Sequence, residues 1–170
     1  MKNLIRLTKK SKKKIIGDGL IVGDPQGKAA WITNGKWAVR MDRTDLPTTR
    51  DGILGHFGLN GDTRELTEDM LANIMPDLSG HFCILDYTPW TLDNAGTTMR
   101  LFKGTNCFTF VDQDFVKLFD LDDEILHVHG LPSGETLQPL AFMDQKTTEI
   151  VLLVMPIKSE LSIDELPSVQ

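Results

Sequence analysis

The chain is 170 residues long, 41% hydrophobic and 25% charged, which describes one ordinary globular domain, or at most two small ones. Lys plus Arg number 18 and Asp plus Glu 24, a net charge of -6 that argues against a surface coated throughout in nucleic acid. The charge is unevenly placed: residues 1–14 hold seven cations and no acid, so the other 156 residues hold 11 cations against 24 acids, a net of -13. The average hides a basic arm on an acidic body. The longest strongly apolar run, residues 150–157, is far below the ~20 residues that cross a bilayer, and no apolar segment follows the basic start as in a secretory signal. A cytoplasmic protein with no membrane contact is expected.

In chain order, residues 1–16 form the basic arm, with Lys2, Arg6, Lys9, Lys10, Lys12, Lys13 and Lys14 as its cations. Residues 17–157 read as one α+β domain, and residues 158–170 as an acidic tail. Gly19 to Gly23 is apolar and β-branched, and Asp24-Pro25-Gln26-Gly27 is a turn. Lys28 to Thr33 is a second strand, and Asn34-Gly35 signals a hairpin. Lys36 to Met41 then alternates, with Trp37, Val39 and Met41 on one face and Lys36, Ala38 and Arg40 on the other. Ile53 to Leu59 is a further short strand. Thr67 caps a helix whose acids Glu68 and Asp69 suit its positive end, with Met70, Leu71, Ile74 and Met75 at helical spacing before Pro76. Strands follow at His81 to Asp86, Thr98 to Phe102 and Cys107 to Val111. A second helix is expected over Asp112 to Phe119, with Phe115, Leu118 and Phe119 on one face. Strands at Glu124 to His129, Thr136 to Phe142 and Thr148 to Met155 complete a mostly antiparallel sheet with two short helices.

Little in these elements points to chemistry. Cys83 and Cys107 each sit in an apolar, strand-like run and are read as buried, reduced thiols. His127 and His129 flank Val128, so they share a strand face; two imidazoles alone fall short of a metal site and read as an exposed pair on that face. Asp112, Asp114, Asp120, Asp122, Asp123 and Glu124 crowd one stretch without the glycine and ligand spacing of a calcium loop. They read as a solvated face, or as a contact surface for a basic protein partner. Gly55 to Gly61 is glycine-rich but lacks the Lys-Ser/Thr ending of a phosphate loop, and no nucleophile motif is present. No enzyme activity and no cofactor are expected. The arm has the direct functional reading, because Lys9-Lys10-Ser11-Lys12-Lys13-Lys14 can contact phosphates without reading sequence. It can equally partner the chain's own acidic body.

Two stretches resemble one family. Gly19 to Met41 is similar to the strand meander of bacterial sliding clamps, the β subunit of the replicative polymerase, around their T-D-G motif, here Thr33-Asn34-Gly35-Lys36-Trp37-Ala38. Phe108 to Ile157 resembles the last half-domain of such clamps: a strand, a short helix, three strands and a closing Val154-Met155-Pro156-Ile157. The resemblance implies β-α-β-β-β units, a role in DNA replication, an origin in a phage or mobile element, and a homo-oligomer such as a ring. The chain departs from the family in three ways. It has room for about one and a half of the family's three domains, and the basic arm replaces the strand and helix expected before Gly19. The helices that should face DNA carry Glu65, Glu68, Asp69, Asp112 and Asp114. Carboxylates facing phosphates repel, so the resemblance carries the fold and leaves DNA contact to the arm. No residue of the family's partner-binding pocket transfers.

Overall fold

The structure is a computed structural model that describes residues 5–7, 21–22, 29–33, 35–42, 46–47, 49, 51–52, 64–65, 68–76, 82–117, 119–121, 125–130 and 138–167. Its strands are β1 (Ile5–Leu7), β2 (Ile21–Val22), β3 (Ala29–Thr33), β4 (Trp37–Asp42), β5 (Arg64–Glu65), β6 (Phe82–Asn94) and β7 (Thr97–Lys103). They continue with β8 (Phe108–Asp112), β9 (Phe119–Leu121), β10 (Ile125–Gly130), β11 (Leu140–Asp144), β12 (Ile150–Val154) and β13 (Pro156–Ile157). Among the described residues helix is scarce: α1 (Glu68–Ile74), a single turn α2 (Gln113–Val116), a 3₁₀ turn at Ile163–Glu165, and helical backbone at Asp51 and Gly52. The expected strand at Ile53 to Leu59 lies outside the described residues.

Eleven strands follow one another side by side in the order β13-β8-β7-β6-β10-β11-β12-β4-β3-β2-β5, and β1 pairs with β9 apart from them. Every neighbouring pair is antiparallel except β2 with β5. The fold is therefore sheet-rich and largely antiparallel. At the expected hairpin, Thr33 pairs with Ala38, Gly35 adopts φ +84, and Thr33 Oγ1 donates to the Trp37 carbonyl at 2.5 Å. The alternation expected of β4 holds. Trp37 and Val39 enter one core with Met41 against it, while Ala38 belongs to the opposite face and Arg40 pairs with Glu149 at 3.1 Å.

The strand β6 is much longer than the expected His81 to Asp86. Its first residues pair with β10 (Leu85 with His127, Cys83 with His129), and from Asp86 onward it pairs with β7. The register shifts between Tyr87 and Thr91, where Pro89 has no N–H to give a ladder. There Thr88 Oγ1 donates to the Leu101 carbonyl at 2.9 Å and accepts from the Trp90 N–H at 3.3 Å. The β6–β7 hairpin closes through Ala95 (φ 49) and Gly96 (φ 84), the two positive φ angles of a tight two-residue turn.

Because β6 serves both β10 and β7, the sheet divides into two halves that pack on each other. Between them lie Ile32, Trp37, Val39, Leu85, Phe102, Val111, Phe115, Leu140, Phe142, Leu152 and Val154. The outer face of the β3–β4–β12–β11 half buries Trp31, Ala38, Ala141 and Leu153, with Met75 after α1 packed against them. The outer face of the β7–β8 half buries Met99, Leu101 and Phe110 under Leu166. Thus residues of the acidic tail reach back onto the sheet, and Lys103 Nζ donates to the Pro167 carbonyl at 2.9 Å. A capping box at Ser162 and Glu165 shapes the 3₁₀ turn that delivers Leu166.

Candidate functional site

Of the arm's cations, Arg6 falls among the described residues, in the middle of β1. It stands opposite Asp120 in the β9 register, with Ile5 opposite Leu121 and Leu7 opposite Phe119. Lys2, Lys9, Lys10, Lys12, Lys13 and Lys14 lie outside the described residues.

The acidic run does not form one helix face. The helix expected over Asp112 to Phe119 is corrected to the single turn Gln113–Val116. Asp112 ends β8 and caps that turn, its Oδ1 accepting from the Asp114 N–H at 2.8 Å. Phe115 enters the core, and Phe119 belongs to β9, so three-residue pairing with β1 replaces a second helical turn. The i, i+3, i+4 apolar spacing that suggested a helix cannot by itself distinguish one helical turn followed by a strand from a full helix. Asp114 is exposed in the first turn of α2, and Asp120 sits in β9 beyond it. Asp122, Asp123 and Glu124 lie outside the described residues.

His127 and His129 share a strand parity, as expected. His127 is half-buried between aromatic rings, 5.0 Å from Phe102 and 5.1 Å from Phe142 between centroids, both edge to face. Burial lowers its pKa; a hydrogen bond with the Leu85 backbone and the charge of Asp86 work against that shift. The imidazole is thus a core side chain, which corrects the reading of His127 as exposed: the rings of Phe102 and Phe142 cover it. Among the described residues no three His, Cys, Asp or Glu side chains gather closely enough to hold a metal.

Cys83 and Cys107 form a disulfide, which corrects their reading as reduced thiols. Cys83 lies in β6 and Cys107 leads into β8 after the β7–β8 turn, with Cα atoms 6.6 Å apart. The turn is tight: Gly104 N–H donates to the Cys107 carbonyl at 2.8 Å, and a Cβ on Gly104 would stand 2.6 Å from the Ile84 carbonyl oxygen. That close approach brings the loop cysteine against β6. Two cysteines 24 residues apart carry no sign of such pairing in sequence alone.

A cleft of about 320 Å³ opens where β13 meets α2. Met99, Phe115, Met155 and Ile157 supply apolar lining, and Lys36 and Asp112 bring opposite charges to it. The Lys36 ammonium stands 6.0 Å from the centre of the Phe115 ring, and the Met155 N–H donates to the Lys36 carbonyl at 2.8 Å. The sequence shows each of these segments but not their meeting, which depends on β13 pairing with β8. On β6, Phe82 and Ile84 are 45% and 55% exposed.

No family model, no curated protein and no solved structure matches this chain. No helix among the described residues is long and apolar enough to cross a membrane.

Proposed function

We propose that the chain is a non-enzymatic, clamp-like protein of DNA replication, encoded by a phage or mobile element, that contacts DNA through its basic N-terminal arm. The observation that carries this reading is the charge division: +7 over residues 1–14 against -13 over the rest. A lysine cluster of that density neutralises phosphates and releases counterions without reading bases, while the acidic body repels them. The clamp-like part rests on the sequence resemblance and a sheet-rich fold; after β8 and α2 the chain runs through β9, β10, β11 and β12 before Met155-Pro156-Ile157, one strand more than the family's half-domain. The cytoplasmic placement now rests on this replicative role, since it no longer draws on reduced cysteines. A second copy would add at an end of the strand order, β13 or β5, where backbone groups have no further neighbour in the sheet among the described residues.

The test replaces Lys9, Lys10, Lys12, Lys13 and Lys14 by Gln, sparing Ile5–Leu7. Retention on duplex DNA at low salt is expected to fall to background. The slope of log affinity against log salt is expected to shrink by about 0.9 for each phosphate no longer neutralised. Unchanged retention refutes the reading.

The apolar cleft beside Asp112 favours a second reading, a protein-interaction module that grips a basic partner through its acidic surface. Under that reading the arm is dispensable for the partner, and Asp120, Asp122 and Asp123 changed to Asn weaken its capture.

A further inference from the structure

The Cys83–Cys107 cross-link sits where the two halves of the sheet part. Among the described residues the β6–β7 ladder begins at the pair Asp86–Lys103, so Phe82 to Leu85 pair with β10 alone. Where a further β7 residue would lie, the β7–β8 turn leans on this stretch instead. A Cβ on Gly104 would stand 2.6 Å from the Ile84 carbonyl oxygen, 3.2 Å from Leu85 Cδ2 and 3.4 Å from Cys107 Sγ. Glycine alone lets the turn come so close. The turn bonds to itself, Gly104 N–H to the Cys107 carbonyl, and among the described residues no backbone hydrogen bond ties it to Phe82–Leu85. Apolar packing around Leu85 and Cys107 and the disulfide hold it there. Cys107 is buried and Cys83 half-buried, so Cys83 is the more open member of the pair. Disulfides in cytosolic chains are mostly transient and redox-sensing, because thiol buffers reduce the rest.

We propose that Cys83–Cys107 is a thiol–disulfide switch that docks the β7–β8 turn on β6 when oxidised and releases it when reduced. The proposal rests on the cytoplasmic reading above. The reductant is a small thiol of the glutathione class. Its thiolate attacks Cys83 Sγ, the S–S bond breaks, and Cys107 leaves as a thiolate that takes a proton. A second thiol resolves the mixed disulfide at Cys83, so two thiols are oxidised to one small disulfide and two cysteines are reduced. The turn then keeps its internal bond but loses its tie. Phe82 to Leu85 gain an open backbone edge beside Phe82 and Ile84, which are exposed in the oxidised form already.

The experiment uses the folded full chain in mixtures of reduced and oxidised glutathione, quenched by alkylation and read by mass spectrometry. At the strongly reducing ratio of a cytosol, both cysteines should become alkylatable without denaturant, and the disulfide should return when oxidised glutathione is added. Amide hydrogen exchange should quicken on reduction at residues 83–85 and 104–107 while β11 and β12 keep their protection. Gly104→Ala, which pushes the turn off β6, should shift the midpoint of the titration toward reduction by roughly fivefold, the scale of an ordinary point substitution. A disulfide that survives the cytosolic ratio overturns the switch. So does exchange that quickens evenly over all strands, or nowhere, and so does a folded Gly104→Ala protein with the wild-type midpoint. The lysine-to-glutamine test reads the arm and this titration reads the thiols. A switch that responds in a chain whose arm does not retain DNA stands, and only the replicative reading falls.

Discussion

Replacing Phe102 by Ala tests the joint between the two halves of the sheet. Phe102 is fully buried in the central core, and three rings surround it: Tyr87 at 5.4 Å, His127 at 5.0 Å and Phe142 at 6.1 Å between centroids. It comes from β7 in one half, whereas His127 and Phe142 come from β10 and β11 in the other. Removing a fully buried phenyl ring costs about 3–5 kcal/mol in transfer energy and cavity, of a total of about 5–15 kcal/mol for a typical domain. In urea this is a midpoint lowered by about 2 M. Phe102→Leu keeps most of the volume but gives up the edge-to-face geometry, for about 1–2 kcal/mol. The second readout is His127, whose pKa is lowered chiefly by burial. A histidine with a lowered folded pKa contributes stability that is full above its ordinary value of 6.5. That stability is lost as pH falls from there toward the folded value, because the unfolded chain takes up the proton first. A cavity at Phe102 admits water, so the His127 titration followed by nuclear magnetic resonance should move up toward 6.5 and this pH window should narrow. An Ala variant that loses less than about 1 kcal/mol, a fraction of the usual cavity cost, with His127 titrating as before, refutes the joint.

Other outcomes follow from the turns and the cross-link. The Cys83–Cys107 disulfide closes a separation of 24 residues, so loop-closure entropy sets its stabilisation at about 3.4 kcal/mol. Reduction, or Ser at both positions, should lower the urea midpoint accordingly; two alkylatable thiols in the unfolded, unreduced protein would contradict the cross-link. Asp144 accepts from the Lys146 N–H at 2.8 Å and from Thr147 Oγ1 at 2.9 Å, and the Lys146 backbone bond leads the causes that hold its pKa below the ordinary 3.8. A depressed carboxylate contributes stability above its ordinary pKa that is lost as pH falls through the folded value. Asp144→Asn should therefore lower the urea midpoint at neutral pH and flatten its acid dependence; an unchanged acid limb would exclude that role.

What could be read from the sequence tracks how local each signal is. The Asn34-Gly35 hairpin and the alternation of Trp37, Ala38 and Val39 are legible because a turn type and a two-residue period are written within a few positions. The length of β6 is not legible, because Pro89 reads as an interruption and only the partner strands show that it sits at a register shift. The turn at Ala95 carries no signal either, since alanine rarely takes positive φ. Phe115 does turn inward, as its spacing implies, yet Phe119 at the same helical spacing belongs to a strand, because β1 offers it a ladder from more than a hundred residues away. For the same reason the disulfide and the cleft are invisible in the sequence: each joins segments through pairings that no short window contains.

The position of β12 has a consequence for how the protein is made. β12 lies between β11 and β4, pairing Leu152 with Val39 and Val154 with Trp37, and β13 and Leu166 close the other half. On a ribosome, the β3–β4 hairpin emerges early with its outer ladder unfilled, and it waits for more than a hundred residues before its neighbour arrives. The apolar side of Trp37 and Val39 is exposed during that wait, so the nascent chain is a ready client for holding chaperones. Any chain truncated before residue 150 keeps that open ladder permanently, and its fate is aggregation or proteolysis rather than a smaller working domain.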